Sequence, residues 1–177
     1  MRFVPNILST LRLLLAMVFP FMPQAWWIWL VIASGCTDFL DGWVARRWQV
    51  ASWQGGLLDA VADKTFVLVV LLSMAAAGKF SFWFIPLILA RDLTVAFAAV
   101  YAALRRLWYA FRDMDARWSG KLATAGQFLL FTVVLLMPRQ TAMALGLVMA
   151  ASGLAALDYG RLFVKALRER ARQRRHR

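Results

Sequence analysis

The sequence predicts an all-α integral membrane protein, a bundle of six transmembrane helices with both termini on the cytoplasmic side. Three observations predict it. The 177 residues are 62% hydrophobic with a mean hydropathy of +0.62. Apolar runs of about 17–25 residues, the length needed to cross about 30 Å of hydrocarbon, recur along nearly the whole chain. Basic residues gather on alternate connections between those runs. A single membrane domain over residues 1–177 is expected, with no room for a second globular one.

Residues 1–7 are too mixed for a span and read as an interfacial approach to the membrane. Span one covers about 8–22 and ends at Pro20 and Pro23, because proline disfavours helix continuation. Span two opens with Trp26, Trp27 and Trp29, aromatic residues suited to a membrane interface, and reaches the cytoplasm near Arg46. Spans three to six cover about 55–77, 82–104, 121–137 and 140–164, and the polar connector 105–120 joins spans four and five. Small residues at Ala33, Ser34, Gly55, Gly56 and Ala60 predict a close approach of spans two and three.

Charge sets the orientation. Basic residues cluster at Arg2 to Arg12, Arg46 and Arg47, Arg105 to Lys121, and in the tail over about 165–177, whereas the opposite loops hold only Lys79 and Arg139. That asymmetry places both termini in the cytoplasm. The net charge of +12 therefore reads as topological anchoring and contact with anionic lipids, not as binding to nucleic acid. The N-terminal stretch offers no small-residue cleavage site after a short apolar core, so a signal peptide is not expected. The single cysteine, Cys36, excludes an intramolecular disulfide and a cysteine-based metal cluster.

The chemistry concentrates between residues 38 and 63. The chain has nine acidic residues, and Asp38, Asp41, Asp59 and Asp63 fall in this one stretch. Positions three apart (Asp38, Asp41) or four apart (Asp59, Asp63) share a helix face. Two adjacent antiparallel helices then point four carboxylates at one another, and these repel unless cations lie between them. Oxygen-only ligation favours Mg²⁺ or Mn²⁺ over zinc. The only histidine, His176, stands in the tail. The alternative reading pairs the acids with Arg46, Arg47 and Lys64. The stretch lacks the alternate-position ligands of an EF-hand.

Asp38, Asp41, Gly42, Ala45, Arg46, Gly55, Asp59 and Asp63 fill, in type and spacing, a pattern that resembles the signature of the CDP-alcohol phosphatidyltransferase family. Asn6, Ser9 and Arg12 resemble that family's Asn-x-x-Thr-x-x-Arg opening, with serine for the usual threonine. The resemblance implies an enzyme of phospholipid synthesis in a bacterial inner (cytoplasmic) membrane, with a cytoplasm-facing active site. It implies transfer of the phosphatidyl group of CDP-diacylglycerol to an alcohol with release of CMP. Asp38, Asp41, Asp59 and Asp63 would hold two Mg²⁺ or Mn²⁺ ions, and Asp63 would also be the general base. Asn6, Ser9, Gly42, Arg46 and Ser52 would contact the nucleotide or its phosphates, and a homodimer is expected.

The acceptor is read from the second half. Lys121, Thr124 and Gln127 resemble the Gly-Lys-x-x-Thr-x-x-Gln segment of phosphatidylglycerophosphate synthases and of the cardiolipin synthases built on the same fold. Arg91, inside span four, is a functional candidate by its position in the membrane. Arg91 and Lys121 are expected to hold an acceptor phosphate. Glycerol 3-phosphate therefore leads, with phosphatidylglycerol, inositol phosphate and serine as alternatives. A divalent-cation transporter would also carry intramembrane acids, but it would be expected to repeat them in inverted halves, and no second aspartate cluster occurs.

Overall fold

The computed structural model describes the backbone of residues 4–48, 53–104 and 118–175, and within these the side chains of 7–38, 40, 58–104, 123–165 and 167. Every regular element among the described residues is helical, with no strand. They form α1 (Val4–Val18), α2 (Gln24–Trp48), α3 (Trp53–Ala76), α4 (Ile85–Ile88), α5 (Ala90–Leu104), α6 (Trp118–Leu136) and α7 (Thr141–Arg175). Short 3-10 turns occupy Phe19–Phe21, Phe82–Phe84 and Pro138–Gln140. The chain divides into two compact units, Met1–Phe82 with Phe131–Arg139, and Trp83–Leu130 with Gln140–Arg177.

In the first unit α1 packs against both α2 and α3. Its buried face runs Ser9, Arg12, Ala16 and Phe19, at spacings of three and four, while Ile7, Leu11, Leu14 and Met17 point outward. This is the stripe a 3.6-residue repeat produces. Phe19 stacks on Trp27 at 5.1 Å between centroids and meets Phe66 edge-on at 6.0 Å. Pro20 sits in the turn that follows, and Met22 turns to extended backbone. The indole of Trp27 donates to the Met22 carbonyl at 2.9 Å, which fixes the start of α2 against the end of α1.

The buried faces of α2 and α3 follow the same repeat. Trp27, Val31 and Ser34 lead along α2 to Asp38, and Met74, Val70, Phe66 and Ala62 lead along α3 to Asp59. Each apolar stripe thus ends in a carboxylate. Gly78, at φ 72°, ends α3. Its N–H donates to Ala75 at 2.9 Å and that of Lys79 to Met74 at 3.0 Å, the paired bonds of a Schellman cap around a left-handed residue.

In the second unit α4 and α5 pack against α7. The stretch read as one span over 82–104 is broken and bent by 60° between Ile88 and Ala90. The cause is local. The Ile88 carbonyl accepts the Ser152 hydroxyl at 2.6 Å and the Gln127 amide at 3.5 Å, two side chains entering the backbone ladder from other helices. The final helix also differs from the expected span, because α7 continues past residue 164 to Arg175. Its tail is rich in Arg, Lys, Ala, Leu and Gln, all strong helix formers. Helix α1 begins at Val4, ahead of the expected start at residue 8. Among the described residues, Pro138–Lys165 is long and apolar enough to cross a membrane, and the bent pair passes the same test when taken together.

Candidate functional site

The end of the first unit gathers charge from three helices. Arg12 of α1 is completely buried, and one of its nitrogens, Nη1, lies 3.2 Å from Asp38 Oδ1 and 3.0 Å from Asp59 Oδ1. The guanidinium therefore bridges carboxylates carried by α2 and α3. The Ser9 hydroxyl, one turn earlier on the same face, donates to Asp59 Oδ1 at 3.3 Å. Asp63 pairs with Lys64 through Oδ2 at 3.0 Å, while its Oδ1 is buried without a hydrogen-bond partner. Asp38 feels the charges of Asp59, Asp63 and Lys64 as well as that of Arg12.

Of the four aspartates singled out from the sequence, three are placed here. The side chains of Asp41, Gly42 and Arg46 lie outside the described residues, although their backbone belongs to α2. The same holds for Asn6 in α1 and Lys121 in α6, and Ser52 lies outside the description altogether. Of the small residues expected to bring α2 and α3 together, Ser34 is buried, Ala33 and Ala60 are exposed, and Gly55 and Gly56 are described in backbone only. Among the described residues, Arg12 links α2 to α3 at this end. That role was not read from the sequence. The signal lay in the spacing of Ser9, Arg12, Ala16 and Phe19, which puts the arginine on the inner face of α1.

The described acids suit a hard cation by donor chemistry. They offer only carboxylate oxygens, the ligands Mg²⁺ and Mn²⁺ prefer, and the buried Asp63 oxygen, without a hydrogen-bond partner among the described residues, is an acceptor open to a cation. Among the described residues no three acids form a ready-made ligand cluster. Asp41, the fourth member, is not among them.

The second unit carries its own polar network. Arg91 donates to Asp92 Oδ1 at 2.8 Å, and its guanidinium lies 5.3 Å from the centroid of the Tyr159 ring. The other Asp92 oxygen accepts the Gln127 amide at 2.7 Å. Gln127 thus serves both the broken helix and the acid that faces Arg91. The Nε of Arg91 is buried without a hydrogen-bond partner.

A family model described as CDP-alcohol phosphatidyltransferase matches residues 2–155. The chain belongs to that family. The match takes in all four aspartates, Arg12, Arg91, Asp92 and Gln127. Relatives with two different names are similar to it. A cardiolipin synthase (CMP-forming) of Streptomyces coelicolor is 33% identical over 143 residues, covering 75% of this chain and 65% of that protein. A CDP-diacylglycerol–glycerol-3-phosphate 3-phosphatidyltransferase of Cereibacter sphaeroides is 36% identical over 104 residues, covering 52% of this chain and 47% of the relative. A protein of the same name from Mycoplasma pneumoniae is 40% identical over 78 residues, 44% of this chain and 34% of its own length. The chain thus spans less than two thirds of each of these family members.

Proposed function

We propose that this chain transfers the phosphatidyl group of CDP-diacylglycerol to the hydroxyl of a small alcohol, with glycerol 3-phosphate as the leading acceptor, and releases CMP. The observation that carries the reading is the placement of Asp38, Asp59 and Asp63, with Asp63 Oδ1 buried and unpartnered, within a chain of this family.

A bacterial inner-membrane location with six spans and cytoplasmic termini is part of the proposal. It is supported by the long apolar stretch Pro138–Lys165 and by an exterior on which Met17, Trp29, Phe97 and Leu154 are each more than 60% exposed. In water such a surface would drive association, whereas hydrocarbon solvates it. The positive-inside asymmetry supplies the orientation. A homodimer and contact of the basic tail with anionic lipids belong to the same reading.

In this mechanism Asp38, Asp41, Asp59 and Asp63 would hold two Mg²⁺ or Mn²⁺ ions, which would supply Lewis-acid polarisation of the transferring phosphorus and offset the charge of the pyrophosphate and of the departing CMP. Asn6, Ser9, Gly42, Arg46 and Ser52 would position the nucleotide and its phosphates, with Arg46 suited to them by its permanent charge and planar fork. Asp63 would take the acceptor hydroxyl proton as the new O–P bond forms and the bond to CMP breaks. Arg91 and Lys121 would bind the acceptor phosphate, and the unpartnered Arg91 Nε is a donor available for it.

The test is acceptor competition in one reaction. With CDP-diacylglycerol and equal glycerol 3-phosphate, phosphatidylglycerol, serine and inositol phosphate, phosphatidylglycerophosphate should dominate the lipid products. Predominant transfer to another alcohol would overturn the acceptor assignment, and transfer to none would overturn the function.

A further inference from the structure

We propose that Arg12 is a built-in counter-ion of the aspartate site: it holds Asp38 and Asp59 together when no divalent cation is bound, and it competes with the cation for them. The second half of this inference rests on the metal reading proposed above; the first half does not.

The geometry is specific. A single nitrogen, Arg12 Nη1, lies 3.0–3.2 Å from one oxygen of each carboxylate. Arg12 is fully buried, whereas the Asp38 and Asp59 side chains are 43% and 41% exposed. The arginine therefore grips from the interior while the acids face accessible space. Both carboxylates belong to helices that pack on α1, so the guanidinium lies where their mutual repulsion is strongest. Ser9 adds a neutral hydrogen bond to the same Asp59 oxygen but no charge. Lys64, the other cation beside these acids among the described residues, is paired with Asp63.

A guanidinium is a permanent cation. A divalent cation must share the carboxylates with it. Removing the guanidinium should thus do two opposite things. The metal-free protein loses the charge that binds α2 to α3, and the site gains affinity for a dication because a neighbouring positive charge has gone. A residue acting only as packing would produce the first effect without the second.

The test uses the full chain purified in detergent, with thermal melting and Mn²⁺ binding followed by the electron paramagnetic resonance of free Mn²⁺. In chelator, Arg12→Gln should melt roughly 10 °C below wild type. Its Mn²⁺ dissociation constant should fall by about ten-fold, and saturating Mn²⁺ should restore most of the lost melting temperature. Arg12→Lys, which keeps the charge, should hold Mn²⁺ with near wild-type affinity. Should Arg12→Gln fail to fold in chelator, Arg12→Gln combined with Asp38→Asn should recover folding, because one carboxylate then no longer needs a counter-ion. Wild-type melting of Arg12→Gln in chelator, or no recovery in the double variant, would overturn the counter-ion role. Weaker Mn²⁺ binding by Arg12→Gln would overturn the competition. Mn²⁺ binding by neither protein would overturn both the competition and the metal reading, and the chelator melt would then decide the carboxylate tie alone.

Discussion

Asp63→Asn should lower turnover by about 10²–10⁴-fold, the contribution a positioned general base commonly makes, while binding of CDP-diacylglycerol falls far less. The asymmetry of the side chain is the reason. Asp63 Oδ2 is engaged by Lys64 at 3.0 Å, but Oδ1 is buried and has no hydrogen-bond partner. One oxygen is therefore available to accept a proton, and the amide of asparagine removes that basicity with little change in volume. Asp59→Asn provides the contrast. Asp59 is tied to Arg12 and Ser9, so its loss should weaken nucleotide binding and turnover together. Steady-state kinetics with a direct substrate-binding measurement separate the two cases. Near-normal turnover of Asp63→Asn at saturating Mg²⁺ would remove Asp63 from the role of base.

The second large effect is expected in the other unit and on stability. Asp92 accepts from Arg91 at 2.8 Å and from Gln127 at 2.7 Å, and the Arg91 and Asp92 side chains are only 17% and 9% exposed. Replacing Asp92 by alanine removes the carboxylate beside the largely buried guanidinium and leaves the Gln127 amide with only its longer bond, to the Ile88 carbonyl at 3.5 Å. Breaking one side of a buried pair costs about 3–5 kcal/mol, which for a chain of this size is a fall in melting temperature of about 10 °C. Asp92→Asn, which retains an acceptor oxygen, should fall less. If Asp92→Ala melts within a degree or two of wild type, the network around Arg91 carries no stability.

The helical class, the break at Pro20 and the family signature were legible because they depend on local sequence. Proline acts on its own turn, apolar length is read directly, and Asp59 and Asp63 stand four apart on one helix, α3. What escaped depends on partners distant in the chain. The bend before Ala90 needs Ser152 and Gln127, 64 and 39 positions from Ile88, and the intervening Leu89 gives no hint of it. Arg12 was open to reading as a basic anchor near a membrane surface. Its burial follows only when the Ser9, Ala16 and Phe19 spacing is combined with the two carboxylates it meets. Arg91 was singled out by its position and stands next to its partner Asp92, but the bond of Gln127 to Asp92 and the approach of Tyr159 to Arg91 come from packing that no short motif encodes.

The most direct test of the central claim is CMP release from CDP-diacylglycerol by the full chain in detergent or liposomes, with glycerol 3-phosphate present, before and after removal of divalent cations. The aspartate mechanism predicts CMP and phosphatidylglycerophosphate in equal amounts with Mg²⁺ or Mn²⁺, loss of both products in chelator, and their return when the ion is restored. Undiminished release of CMP in metal-free buffer would contradict it.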